Sequence, residues 1–172
     1  LDWHKMDDNY DRIIFPDEQY NFYCPKQRFV EELSKHFPDE NSALQSYLDL
    51  LSNTVKSGIP FFSNKALPEL IGKATYPFMT RKFLSYSNSK TYDVLKKLTS
   101  NEKLIGVLTG QWGDHGLPPK QSSYYMHAAV AKHYLDGGNY PVGSSRRIAE
   151  TVTDVIESHG GNIAVNAGVD EI

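Results

Sequence analysis

The chain has one cysteine, Cys24, among 172 residues, so it closes no internal disulfide and cannot hold a cysteine-based zinc site. It has no apolar run near the ~18 residues that a bilayer-spanning helix needs. Cationic excess is also lacking: 18 Lys and Arg stand against 21 Asp and Glu, a formal net charge of -3. With no Lys/Arg run to offset that balance, nucleic acid is not expected as the main partner, because neutralising phosphates requires a basic face. G-x-G-x-x-G occurs nowhere, so the dinucleotide fingerprint is missing, and neither an internal repeat nor a low-complexity stretch is present. Leu1-Asp2-Trp3-His4 does not read as a signal peptide, and the start at Leu1 without Met suggests a piece of a longer polypeptide. What the chain has in surplus is aromatic side chains, 11 Tyr, 8 Phe and 2 Trp. That number suits a large core or the wall of a pocket for an apolar ligand.

Periodicity divides the chain into segments. Ile13, Phe15, Tyr20 and Phe22 alternate around Pro16-Asp17, which predicts a β-hairpin. Pro25 opens a helix carrying Phe29, Val30, Leu33 and Phe37, and Pro38 ends it. Leu44, Tyr47, Leu48, Leu51 and Val55 form one continuous apolar stripe, predicting a helix from about Glu40 to Ser57 with Gly58 as its stop and Pro60 beyond. Residues 60–87 are irregular and rich in Phe, Tyr and Pro, which predicts short helical pieces and loops. Two helices are expected over 89–98 and 101–111, then a turn-rich loop over 110–119, then a helix over 122–135 closed by Gly137-Gly138. The last stretch predicts a helix with Ile148, Val152, Val155 and Ile156 on one face. It also predicts a strand over 162–166 and a second strand starting at Val169.

No acid/base, metal or nucleophile set emerges from these residues. Gly110, Gly113 and Gly116 mark a loop whose polar members Gln111, Asp114 and His115, beside Trp112, make it the best candidate to face a ligand. His127 and His133 are six apart, the wrong spacing for two ligands on one helical face. His133 shares a stripe with Met126, Ala129 and Val130 and reads as a core histidine. Cys24 reads as a small packed group, and Ser144-Ser145 as a helix cap.

The order of the motifs carries more than any one of them. Trp3-x-Lys5-Met6-x-Asp8-x-Tyr10-Asp11 is followed by Phe15-Pro16-Asp17 and Phe37-Pro38-x-Glu40. Then come Gln111-x-Gly113-Asp114-x-Gly116, Pro118-Pro119, Met126-His127-Ala128, His133-Tyr134 and Gly137-Gly138. Tyr140-Pro141-x-Gly143, Gly160-Gly161-x-Ile163 and Val169-x-x-Ile172 close the series. Over nearly the whole chain this order resembles the phytoene desaturase, carotenoid isomerase and retinol saturase family of FAD-dependent oxidoreductases, with the saturase and isomerase branch nearest. Two departures stand out: neither the glycine-rich FAD-binding unit nor the C-terminal FAD segment of the family is in the chain, and Ser144 replaces a second glycine.

The resemblance implies an α+β chain, with a mainly helical substrate-binding module and its hairpin over 1–138 and a partial α/β segment of the FAD domain over 139–172. It implies a substrate-binding fragment of an enzyme that desaturates, saturates or isomerises a carotenoid- or retinoid-like polyene. The fragment alone is not expected to be catalytically competent or to bind FAD tightly. Carried over by position, Gln111, Asp114, His127 and Tyr134 are substrate-side candidates, and Tyr140, Gly143 and Val169 are cofactor-side candidates. Catalytic residues are unassigned and no metal is expected. A polyene offers almost no hydrogen-bonding handle, so an aromatic and aliphatic pocket with a flavin doing the redox chemistry fits the lack of an acid/base set. The rival reading is a non-catalytic module for an apolar ligand or a protein partner. A second copy pairing at strand edges around Ile163 and Val169 is left open, and the expected location is cytoplasmic, with peripheral membrane contact left open.

Overall fold

A computed structural model describes residues 1–172. In chain order its elements are β1 (Trp3–Lys5), β2 (Asn9–Ile14), β3 (Gln19–Tyr23), α1 (Lys26–His36), α2 (Asn41–Lys65), α3 (Glu69–Ser87), α4 (Thr91–Leu95), α5 (Glu102–Leu108), α6 (Tyr124–Tyr134), β4 (Asn139–Pro141) and α7 (Arg146–Ser158), with 3-10 turns at Pro38–Glu40 and Gly110–His115. The architecture is α+β and mainly helical, as the resemblance implies. The chain divides into two compact units, Asp7–Gly137 and Leu1–Met6 with Gly138–Ile172.

In the Asp7–Gly137 unit, β2 and β3 form the expected antiparallel hairpin, with Ile13 opposite Tyr20 and Ile14 opposite Gln19. Its turn is closed by the Phe15 amide donating to the Glu18 carbonyl at 2.9 Å. Period-two alternation sends Tyr20 and Phe22 into the core, where both meet aromatic partners: Tyr20 stacks on Phe37, and Phe22 meets Phe29 edge-on. The stripe of α2 buries Leu44, Tyr47, Leu48 and Leu51 against Phe29, Leu33, Leu104, Val107 and Ala128 of the same cluster.

Helix α2 does not stop at Gly58. It continues to Lys65, because Gly58 is a helical contact residue and not a left-handed cap. A Cβ there would lie 2.3 Å from the Tyr125 hydroxyl, so the missing side chain admits Tyr125. Pro60 lies inside the helix and removes one amide donor, a local cost of about 3 kcal/mol. Aromatic packing on either side offsets that cost, with Phe61 stacked on Phe83 (centroids 3.9 Å apart) and Phe83 edge-on to Tyr125. The irregular-looking stretch is a single helix, α3, with Pro77 inside it. Asn64 joins the two helices: buried, its Nδ2 donates to the Gly72 carbonyl at 3.0 Å and to Thr75 Oγ1 at 2.8 Å. Long-range packing overrides the local breaker signals of Pro and Gly.

In the other unit, β1 pairs antiparallel with β4, His4 opposite Tyr140, and the Val142 amide donates to the Asp2 carbonyl. Helix α7 forms where the pattern places it, yet none of its residues is buried. The expected strands over 162–166 and from Val169 do not form. A strand needs a neighbour to satisfy its backbone, and in this unit β1 and β4 pair only with each other. Strand edges at Ile163 and Val169, where pairing with a second copy is left open above, are therefore not present. No helix is long and apolar enough to cross a membrane.

Candidate functional site

The loop singled out for its glycines is a 3-10 turn ending at Gly116, whose φ of 83° is left-handed and so suits glycine. Gly110 at its start packs tightly on Ile13: a Cβ there would lie 2.6 Å from Ile13 Cδ1. That contact holds the turn to the hairpin and leaves Asp114 exposed next to α6. A groove of about 580 Å³, lined by Asp114, Ala129, Val130, His133 and Tyr134, lies between the turn and the helix.

Two of the substrate-side candidates meet in this groove. Asp114 lies close enough to the Tyr134 hydroxyl that its carboxylate, ahead of burial, raises the phenol above its ordinary value. The Tyr134 ring stacks on Tyr10, centroids 5.7 Å apart and planes 9° from parallel, and Tyr10 meets Phe22 edge-on. Tyr134 is thereby anchored to the core through two rings. The groove's lining combines the polar Asp114, His133 and Tyr134 with the apolar Ala129 and Val130, so it offers both hydrogen-bonding groups and apolar surface.

Gln111 and His127 do not open into this groove. Gln111 is buried in the turn. His127, 2% exposed, shares a hydrogen bond of 3.0 Å between its Nε2 and the Tyr47 hydroxyl. Burial, with a smaller contribution from His115, pushes its pKa down to about 3, so its imidazole is neutral at physiological pH. The reading of His133 as the core histidine is corrected: the buried face of α6 is Tyr124, His127, Ala128 and Ala131, and His133 is exposed. Around His127 the buried Thr54 Oγ1, His115 Nε2, Ser123 Oγ and Tyr124 hydroxyl have no hydrogen-bond partner. Tyr124 lies close enough to Thr54 to feel its hydroxyl without the geometry of a bond. Nothing in the residue pattern marks Tyr47 or Tyr10 as site-supporting, since each reads as an ordinary apolar position.

A second groove, about 360 Å³, runs along α5 between Tyr92, Ile105, Thr109, Pro118 and Pro119. Both grooves are open to solvent; neither is the closed tunnel that a long polyene would fill.

The cofactor-side candidates lie in the other unit. Tyr140 is in β4, and its hydroxyl accepts from the Ser145 amide at 3.4 Å. Gly143 and Ser144 follow with φ of 86° and 81° and lead into α7. Ser144 adopts a conformation that disfavours any side chain, which is where the family pattern would have glycine. Tyr140 and Gly143 thus share one turn. Val169, 76% exposed, is in the irregular tail and outside any strand.

Comparison with known proteins gives matches over all or most of this chain. All-trans-retinol 13,14-reductase of Danio rerio is 30% identical over 184 residues, covering 100% of this chain and 30% of that protein. The Homo sapiens protein of the same description is 28% identical over 181 residues, with the same coverage. A Danio rerio protein described as an inactive all-trans-retinol 13,14-reductase is 28% identical over 159 residues, covering 90% of this chain and 26% of its own length. The chain therefore spans under a third of the length of the curated relatives it matches. No family model and no solved structure matches it.

Proposed function

Because the chain belongs to the retinol saturase and carotenoid oxidoreductase family, to which its homologues assign it over its whole length, we propose that it is the substrate-binding part of an oxidoreductase acting on a retinoid or a similar apolar polyene. The observation that carries the reading is the homology of this whole chain to part of the retinol 13,14-reductases; the groove lined by Asp114 and Tyr134 supports it. In this reading the Asp7–Gly137 unit holds the substrate. Ala129 and Val130 take the hydrocarbon, and the Asp114–Tyr134 pair takes a terminal hydroxyl. His127 acts behind the groove, through Tyr47, in holding α2 against α6. The turn from Tyr140 to Ser144 flanks the cofactor.

FAD is the cofactor proposed for the whole protein, and in such enzymes a flavin supplies the hydride chemistry. The residues on this chain do not make a complete site for it. They contain no glycine-rich strand-turn-helix to cradle a pyrophosphate, and Val169 has no strand from which to offer its backbone. The work left to this chain is binding: orienting the polyene and walling it from water.

A second reading, a non-catalytic module for an apolar ligand, is favoured by one observation, the match to a relative described as inactive. The test uses the complete gene product. Flavin bound to the purified protein and consumption of all-trans-retinol support the oxidoreductase; retinol binding with neither supports the module. Asp114→Asn and Tyr134→Phe should each raise KM for retinol roughly three- to tenfold, the value of one hydrogen bond, with flavin content unchanged. An unchanged KM in both variants removes the groove from the reading. FAD titrated into this chain alone should show no sub-micromolar binding.

A further inference from the structure

The contact between α2 and α6 carries more polar atoms than its own side chains satisfy. Thr54 Oγ1 on α2, Ser123 Oγ and the Tyr124 hydroxyl at the N-terminal end of α6, and His115 Nε2 at the end of the 3-10 turn are buried and make no hydrogen bond. Thr54 and Tyr124 are fully buried residues. The four atoms gather around His127. The His115 and Tyr124 rings lie 6.4 and 5.9 Å from the His127 ring, centroid to centroid. Ser123 is one helical turn before His127, and its carbonyl accepts from the His127 amide at 3.2 Å. Thr54 follows Tyr47 on the same face of α2, and the Tyr47 hydroxyl shares its bond with His127.

Protein interiors keep few such groups, because a buried donor or acceptor without a partner gives up its bonds to solvent and gains none in return. A hydroxyl can both donate and accept, and an imidazole nitrogen does one or the other, so the set suits a ligand with both capacities. The buried polar side chains of the chain are hydroxyls, carboxamides and His127, with no carboxylate, ammonium or guanidinium among them. An ion held here would therefore have no compensating charge. None of the four residues lines either groove, so an organic molecule has no open path to them. A small neutral molecule with two donors and two acceptors fits, and that is water. Direct pairing does not take its place: the Thr54 hydroxyl is near enough to act on the Tyr124 phenol but makes no bond to it.

We propose that the α2–α6 contact is an internal water-binding site, in which water bridges the Thr54 and Tyr124 hydroxyls and completes the bonding of Ser123 Oγ and His115 Nε2. Water bound in this way is part of the fold and ties α6 to α2 and to the 3-10 turn. Helix α6 supplies Ala129, Val130, His133 and Tyr134 to the groove and the turn supplies Asp114, so the site holds together the two elements that line it. It stands whether or not that groove receives a retinoid.

A crystal structure of the complete gene product that resolves ordered water tests this. Density for a water within ~3.2 Å of both the Thr54 and the Tyr124 hydroxyl oxygens is expected. No water there, whether the two hydroxyls bond directly or stay apart, overturns the proposal. Variants add a second readout whose sign separates a hydrated set from a dry one. With water bound, Thr54→Val and Tyr124→Phe each remove one of its partners and should lower the protection of the α6 amides against hydrogen exchange roughly fivefold. In a dry set each substitution removes an unsatisfied group at nearly constant shape, so protection would hold or rise, and that result also overturns the proposal. Where a variant fails to fold, the wild-type density alone decides.

Discussion

Helices α2 and α7 present the same kind of signal and meet different fates. The α2 stripe of Leu44, Tyr47, Leu48 and Leu51 is buried because α1, α3 and α6 pack around it. The α7 stripe of Ile148, Val152, Val155 and Ile156 is as regular, yet no residue of that helix is buried. A periodic stripe states that a helix is built to meet something apolar; it does not say whether that partner lies on the same stretch of chain. The contrast extends to the helix ends. Helix α5 starts at Asn101, whose side chain accepts from the Leu104 amide at 3.1 Å, whereas Ser145 before α7 makes no side-chain capping bond.

The largest expected effect separates the two stripes. Leu51 is fully buried, so Leu51→Ala leaves a cavity and should cost about 3 kcal/mol of unfolding free energy. Val152→Ala, at an exposed position, should change it by less than ~0.5 kcal/mol. Urea denaturation of the two variants checks this, and equal losses would mean that α7 is packed as tightly as α2.

Much of this organisation was legible in the residues. The hairpin follows from Ile13, Tyr20 and Phe22 in alternation, and the core stripe of α2 follows from its spacing. The continuation of α2 past Gly58 and the unbroken α3 were not legible, because local breaker signals at Gly58, Pro60 and Pro77 are outweighed by packing on Tyr125 and Phe83, distant in sequence, and by the bonds of Asn64 from α2 to Gly72 and Thr75 of α3. The absent strands at residues 162–166 and Val169 show the opposite case, a β pattern left without a neighbour. At the candidate site, Asp114 and Tyr134 were readable from motif order and do converge. Tyr10 and Tyr47, which support the site, were not, since an aromatic with a structural partner looks the same in sequence as one without.

The next effect sharpens the comparison inside the Asp7–Gly137 unit, where a polar group lies in the core. His127 is held neutral by burial, with its pKa down at about 3, against about 6.5 in the unfolded chain. Between those values the unfolded state binds the extra proton, so the stabilisation is complete above about pH 6.5 and is lost as pH falls toward 3. The expected slope is about 1.4 kcal/mol per pH unit below pH 6.5. His127→Gln can keep a bond to the Tyr47 hydroxyl and has nothing to titrate, so its urea midpoint should show a flatter acid limb than wild type between pH 7 and 5. Parallel acid limbs would show that His127 does not govern the acid response.

The smallest effect returns to the helix ends. Asn101→Ala removes a side-chain acceptor from an amide that α5 cannot satisfy itself, and should cost about 1 kcal/mol. Ser145→Ala removes a hydroxyl that caps nothing and should leave α7 unchanged within ~0.5 kcal/mol. Native-state amide exchange reads both in their own helices, where a global melt would average them: the Leu104 amide should exchange faster in Asn101→Ala, and the Ile148 and Ala149 amides should keep their wild-type rates in Ser145→Ala. If Ser145→Ala speeds exchange in the first turn of α7, the serine caps that helix in solution. The contrast between the two units would then lie in their apolar faces alone.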